Sequence, residues 1–296
     1  MGSTDTAPDT WQLAEGDPIT DDLTAVKLLG GGSSYEAYLA FDDITYAPVV
    51  VKVVRPSLVA DDSSLRGLRR EVEALATVNH PVVVRGLRHR LDGERPHVVL
   101  EQIDGPRLSS LVRRYGPLQE QQYVPLAIEL ASALHYLRHL GWTHLDIKPS
   151  NVIMGAPARL IDLSVARRLE DAAALRVPIG TDRYLSPEQC DPPTTGEPGH
   201  ASDVWGLCAT LFEAVAGYRA FDDGDLDADD VRVRYPQLVD LPYDLPDRVP
   251  DEVVKVLYAG LEKRPENRPL PHEVAEALEP VLARQPRARL AGFKVR

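Results

Sequence analysis

Residues Thr143-His144-Leu145-Asp146-Ile147-Lys148-Pro149-Ser150-Asn151 place a carboxylate, an ammonium and a carboxamide within six positions. A second acid, Asp162, follows eleven residues after Asn151, directly behind Leu160-Ile161. Phosphoryl transfer asks for this equipment: a base for the acceptor hydroxyl, a cation for the phosphate, and two oxygen ligands for magnesium. The reaction depends on positioning and charge stabilisation more than on covalent chemistry, so a few well-placed polar groups suffice.

The chain on either side of this stretch differs in kind. Upstream, Val26–Leu29, Tyr35–Phe41 and Val49–Val54 read as strands, being rich in β-branched and aromatic residues with turn signals between them. Apolar residues at 65, 68, 72, 75 and 78 make a helical stripe over Leu65–Val78. Val82–Leu87 and His97–Ile103 return to strand. After Asp104-Gly105-Pro106 the pattern turns helical, over Leu108–Tyr115, Pro125–Leu140, Asp203–Gly217, Asp251–Glu262 and His272–Ala283. The expected class is α+β. A small β-rich lobe with one main helix spans about 23–103, a larger α-helical lobe spans about 104–281, and the chemistry sits at their junction.

Residues 1–22 are polar, contain Pro8, Gly16 and Pro18, and read as a flexible leader in which Trp11 is the residue placed to dock on the body. Residues 282–296 carry Arg284, Arg287, Arg289, Lys294 and Arg296 with no acid. This basic tail reads as a solvated segment, with folding onto the acidic body or meeting a partner as the alternatives.

With 296 residues the chain can bury the core of two lobes. A net charge of −12 argues against nucleic acid or an anionic membrane as the main partner. No apolar run approaches the length of a membrane span, and no secretory signal opens the sequence. Cys190 and Cys208 are too few and too far apart for a metal pair, and fit a reduced, cytoplasmic protein. The acidic stretch 222–230 has its glycine at the wrong offset for a calcium loop and reads as a solvated loop.

Taken in order, the motifs of residues 23–281 resemble those of a eukaryotic-like (Hanks-type) bacterial serine/threonine protein kinase in its soluble form. Gly30-Gly31-Gly32-Ser33-Ser34-Tyr35-Glu36-Ala37 is similar to the glycine-rich nucleotide loop, with Tyr35 where the third glycine is usual and Ala37 in place of a valine. That departure implies weaker or slower nucleotide binding. Lys52, in Val49-Val50-Val51-Lys52, resembles the lysine that meets the α- and β-phosphates. The resemblance gives it Glu71 as partner. Glu73 is the alternative, and the two lie about 200° apart on a helix, so only one can face Lys52.

The resemblance implies further roles. ATP would be held by Leu29, Gly30, Gly31, Gly32, Ser33, Ser34, Ala37, Val50, Lys52, Leu100, Glu101 and Ile103. Leu100 would be the gatekeeper, and backbone groups of Glu101 and Ile103 would bond adenine. Ala37 and Val50 exchange small for large over the base, so Ala37→Val alone is expected to clash with it. Asp146 would act as base and Lys148 as the γ-phosphate contact, while Asn151 and Asp162 would bind Mg2+, with Mn2+ as the alternative ion. Gly180-Thr181-Asp182-Arg183-Tyr184-Leu185-Ser186-Pro187-Glu188 resembles the segment that docks a peptide, with Glu188 paired to Arg268 and Asp203 bracing the catalytic loop.

Two departures bear on regulation. Leu145 stands where many of these enzymes carry arginine, and residues 165–180 contain no Ser, Thr or Tyr. The receptor for an activation-loop phosphate and its site are missing together, so activity independent of such phosphorylation is expected. Asp162-Leu163-Ser164 replaces Asp-Phe-Gly. The expected function is a protein serine/threonine kinase. The alternatives are a pseudokinase kept for nucleotide binding or scaffolding, and a small-molecule phosphotransferase.

Overall fold

The computed structural model describes residues 9–285. Six antiparallel strands make the first lobe: β1 (Pro18–Thr20), β2 (Leu23–Gly31), β3 (Tyr35–Asp42), β4 (Ala47–Val54), β5 (Gly86–Arg90) and β6 (His97–Glu101), in the order β1-β2-β3-β4-β6-β5. Alternation along β4 sorts its side chains onto two faces, as a period of two requires. Val49, Val51 and Val53 join Ile19, Leu23, Ala25, Tyr38, Ala40 and Val99 in an outer cluster, whereas Val54, Val98 and Leu100 belong to the main core. Helix α1 (Asp62–Thr77) lies on the inner side, its first turn capped by the Asp61 carboxylate, which accepts from Ser64 N at 2.6 Å.

The leader differs from its reading as a flexible segment. Residues 9–22 lie against the first lobe. Strand β1 pairs with β2, Ile19 is buried, and Trp11 and Leu13 pack on the outer cluster. The Trp11 indole donates to Val54 O at 2.8 Å, and its ring lies under the Arg95 guanidinium. Three apolar side chains that covering the sheet takes out of water offset the polar composition around them. Residues 1–8, and the part of the basic tail from 286 onward, lie outside the described residues. Within the tail's start, Arg284 bonds Glu252 at 2.9 Å.

The second lobe is built from α2 (Leu108–Tyr115), α3 (Glu120–His139), α4 (Leu169–Ala173), α5 (Pro187–Cys190), α6 (Pro192–Thr195), α7 (His200–Ala216), α8 (Val231–Arg234), α9 (Asp251–Gly260) and α10 (Pro271–Arg284). Short strands β7 (Trp142–Thr143), β8 (Val152–Ile153), β9 (Arg159–Leu160) and β10 (Arg167–Arg168) pair as β7 with β10 and β8 with β9. Helix α7 is buried on nearly every side, from Ser202 to Ala216. One hydrophobic core runs from α1 and β6 through α3 and α7 to α9 and α10, so the lobes share their packing.

Two expected elements shift. Helix α3 begins at Glu120 rather than Pro125, because Gln119 and Gln122 cap it reciprocally and the proline falls inside the helix. Val82–Val84 is not a sheet strand. Its polar backbone turns to the second lobe instead, with Val84 N donating to Leu160 O and Leu160 N to Val82 O.

Candidate active site

The segment between β7 and β8 is held from beneath by α7. Asp203, near the N-terminus of α7, accepts from His144 N at 2.8 Å and Leu145 N at 2.7 Å. Burial pushes the Asp203 carboxyl up, to about 7, against the pull of these two N–H groups. His144 is fully buried. Its Nδ1 accepts from Asp146 N at 3.3 Å, which leaves Nε2 to donate to Ile161 O at 3.3 Å. Burial holds the His144 pKa below the usual histidine value, which suits this neutral tautomer. Leu145, between them, takes a left-handed backbone, φ +63°.

Four polar side chains meet above this base. Lys148 Nζ lies 2.7 Å from Asp146 Oδ2 and 2.5 Å from Thr181 Oγ1. The Thr181 hydroxyl donates to Asp146 Oδ1 at 2.7 Å. Asn151 Nδ2 donates to Asp146 O at 2.9 Å and to its Oδ2 at 3.1 Å. Thr181 arrives there through Gly180, whose φ is +117° and where a Cβ would lie 2.7 Å from Leu145 O, so there is no space for a side chain. Gln189, 2 % exposed, donates from one amide nitrogen to both Leu145 O (2.9 Å) and Ile179 O (3.0 Å). That carboxamide joins the segment around Leu145 to the one around Ile179, and nothing local in the sequence points to it.

A second cluster faces the first across the cleft. Lys52, on β4, donates to Glu71 Oε1 (3.0 Å), Glu71 Oε2 (2.8 Å) and Asp162 Oδ1 (2.8 Å), which uses all three ammonium hydrogens. Glu71 is the buried partner, and Glu73 turns away to bond Arg168 at 2.9 Å. Burial works against the Lys52 charge, but Glu71 and Asp162 outweigh it and hold its pKa above the ordinary lysine value. Burial likewise opposes the Asp162 charge, and Lys52 overcomes it, keeping that carboxyl below the usual range. Asp162 is left-handed, φ +69°, whereas Ser164 is not, so the serine in place of glycine carries no backbone penalty here.

The remaining sequence candidates line the sheet side. Leu29, Gly30 and Gly31 end β2, and Gly32, Ser33 and Ser34 form the turn into β3. Arg55, not singled out from the sequence, holds that turn. Its Nε donates to Gly32 O at 2.8 Å and its backbone N to Ser34 O at 3.0 Å. Ala37 pairs with Lys52, and Val50 pairs with both Leu39 and Leu100, so these side chains share one face. Glu101 N is taken by Arg85 O, while Ile103 N makes no bond among the described residues.

No group of three His, Cys, Asp or Glu among the described residues is placed to hold a metal by itself. The Asn151 and Asp162 oxygens are hard donors of the kind a divalent cation prefers, and they are too few to hold one without further oxygens from a phosphate. The set therefore fits a metal bound together with a nucleotide.

The family model for the protein kinase domain matches residues 23–278. The chain belongs to the protein kinase family, which implies ATP and a divalent cation as cofactors. It is 32 % identical over 263 residues to the serine/threonine-protein kinase PknB of Mycobacterium leprae, a match covering 84 % of this chain and 41 % of that protein. The figures are 31 % over 264 residues, with the same coverage, for PknB of Mycolicibacterium smegmatis. For the probable serine/threonine-protein kinase PkwA of Thermomonospora curvata they are 32 % over 256 residues, 86 % of this chain and 33 % of the relative. The chain thus spans less than half the length of these relatives. No helix among the described residues is long and apolar enough to cross a membrane.

Proposed function

We propose that this chain is a catalytically active protein serine/threonine kinase, transferring the γ-phosphate of Mg-ATP to Ser or Thr hydroxyls without needing a phosphorylated activation loop. The observation that carries the reading is the state of the cleft. Lys52 is bonded to Glu71 and Asp162 while Asp146, Lys148, Asn151 and Thr181 touch one another. A chain that had given up turnover would have no need to keep seven such groups in register.

Each residue then has a task. Lys52, fixed by Glu71, directs positive charge at the α- and β-phosphates. Asp146 accepts a hydrogen bond from the substrate hydroxyl, taking the place that Thr181 fills here, and orients its oxygen. Lys148 stabilises charge on the transferred group. Asn151 and Asp162 would hold the cation. Mg2+ suits two such oxygens together with phosphate, and Mn2+ would replace it. When bound, the cation neutralises charge on the β- and γ-oxygens. The Glu101 carbonyl and Ile103 N–H are free to bond adenine. The sheet face of Ala37, Val50 and Leu100 supplies apolar cover. The names of the relatives support serine and threonine as acceptors, and the use of ATP with two buried free thiols fits a cytoplasmic site.

The test is transfer of labelled γ-phosphate to the chain itself and to a generic protein substrate, followed by acid hydrolysis. Label on phosphoserine or phosphothreonine supports the reading. Tight nucleotide binding with no label on any protein would overturn it.

A further inference from the structure

Tyr35 occupies a position the rest of its motif would give to glycine, and its side chain turns inward on the face that carries Ala37 and Lys52. The ring lies over the Lys52 ammonium, 4.8 Å from Nζ to centroid. Its hydroxyl donates to Ser64 O, in the first turn of α1, at 2.9 Å. One turn along sits Gly67, in the interior of α1, where a glycine weakens a helix relative to alanine. A Cβ built there would lie 2.8 Å from the Tyr35 hydroxyl oxygen and meet nothing else within 4 Å. The unfavourable glycine and the unusual tyrosine explain each other. Burial pushes the Tyr35 hydroxyl up to about 12, so it keeps the proton it donates.

We propose that Tyr35 and Gly67 form a joint that fastens α1 to the nucleotide-loop hairpin, making Tyr35 a positioning residue for the Lys52–Glu71 pair. Ser64, Leu68 and Glu71 lie on one buried face of α1, so a contact at Ser64 sets the rotation and height of Glu71. The proposal rests on the kinase reading of that pair. It supplies what residues 165–180, which lack Ser, Thr and Tyr, cannot obtain by phosphorylation: a fixed α1.

The experiment is a double-mutant cycle with Tyr35→Phe and Gly67→Ala in the full chain, reading kcat, ATP KM, Tm and amide hydrogen exchange over residues 62–70. Tyr35→Phe keeps the ring over Lys52 and removes only the hydroxyl. It should speed exchange in 62–70 and lower kcat by roughly 3- to 10-fold, the span of one neutral hydrogen bond, with Tm little changed. Gly67→Ala should do the same in the parent chain. On the Tyr35→Phe background it should cost nothing further and slow exchange, because the oxygen it strikes is gone and alanine is the better helix former. Exchange in Tyr35→Phe equal to the parent, or a Gly67→Ala effect identical on both backgrounds, would overturn the joint. If the parent chain transfers no phosphate, the kinase reading fails on its own, and the exchange measurements still decide the joint.

Discussion

Glu188 and Arg268, 80 residues apart in the chain, meet in a two-pronged ion pair at 2.6 and 2.8 Å with both side chains wholly buried. Ser202 Oγ also donates to Glu188, and Arg268 donates to the carbonyls of Glu262, Lys263 and Ala201. The pair thus staples the segment that ends at Glu188 to α7 and to the chain before α10. Removing one partner strands the other charge in a dry interior. Arg268→Met should lower stability by about 3–5 kcal/mol in urea unfolding. Glu188→Leu added to Arg268→Met should cost less than the two changes summed, and strict additivity would contradict the coupling.

Glu71 and Glu73 lie on the same helix and should differ sharply in their response to the same change. Glu71→Gln removes a buried charge from Lys52, and kcat/KM should fall by roughly 10- to 100-fold, the range of a charged hydrogen bond. Glu73 is half exposed and pairs with a partly buried Arg168. Glu73→Gln should alter kcat/KM by less than about 5-fold.

The activation segment is held by contacts already present. Strand β10 pairs with β7, the Arg168 guanidinium stacks 4.4 Å from the Trp142 ring, and Ala172 is buried. Phosphatase-treated protein, shown by mass spectrometry to carry no phosphate, should turn over at the rate of untreated protein. A fall in rate on treatment would show that a phosphate elsewhere in the chain is needed.

The pH dependence of stability has a sign fixed by His144. Its folded pKa is held below the ordinary 6.5 by burial, so the unfolded chain takes up the proton first as pH falls. The stabilisation it gives is complete above about 6.5 and is lost on acidification through and below that value. Stability measured from pH 7 to 5 should fall less steeply in His144→Gln than in the parent chain. The difference in slope is bounded by one proton, about 1.4 kcal/mol per pH unit. Equal slopes would mean that His144 titrates alike in both states.

Much of this arrangement was legible from residue types and spacing, because several of the candidate groups lie close together in the chain. Asp146, Lys148 and Asn151 fall within six residues, and their mutual contacts follow from one turn of backbone. The choice between Glu71 and Glu73 was open in the sequence, since helical spacing says only that they diverge. The packing of α1 decides it. The leader was misjudged because composition averages over residues, whereas docking needs only Trp11, Leu13 and Ile19 in the right places. Val82–Val84 has the makings of a strand, but its hydrogen-bond partner, Leu160, lies far along the chain. Gln189 and Arg55 act by reaching backbone carbonyls of distant loops, which leaves no pattern in sequence.

In the proposed reaction Asp146 would hold the acceptor hydroxyl while Lys52, Asn151 and Asp162 would hold the nucleotide. The most direct measurement pairs calorimetric titration of Mg-ATP with single-turnover transfer, in the parent chain and in Asp146→Asn. Like affinities for Mg-ATP and a transfer rate lower by about 10²- to 10⁴-fold in the variant are expected. Equal transfer rates in the two proteins, or no heat of nucleotide binding in the parent chain with either Mg2+ or Mn2+, would contradict it.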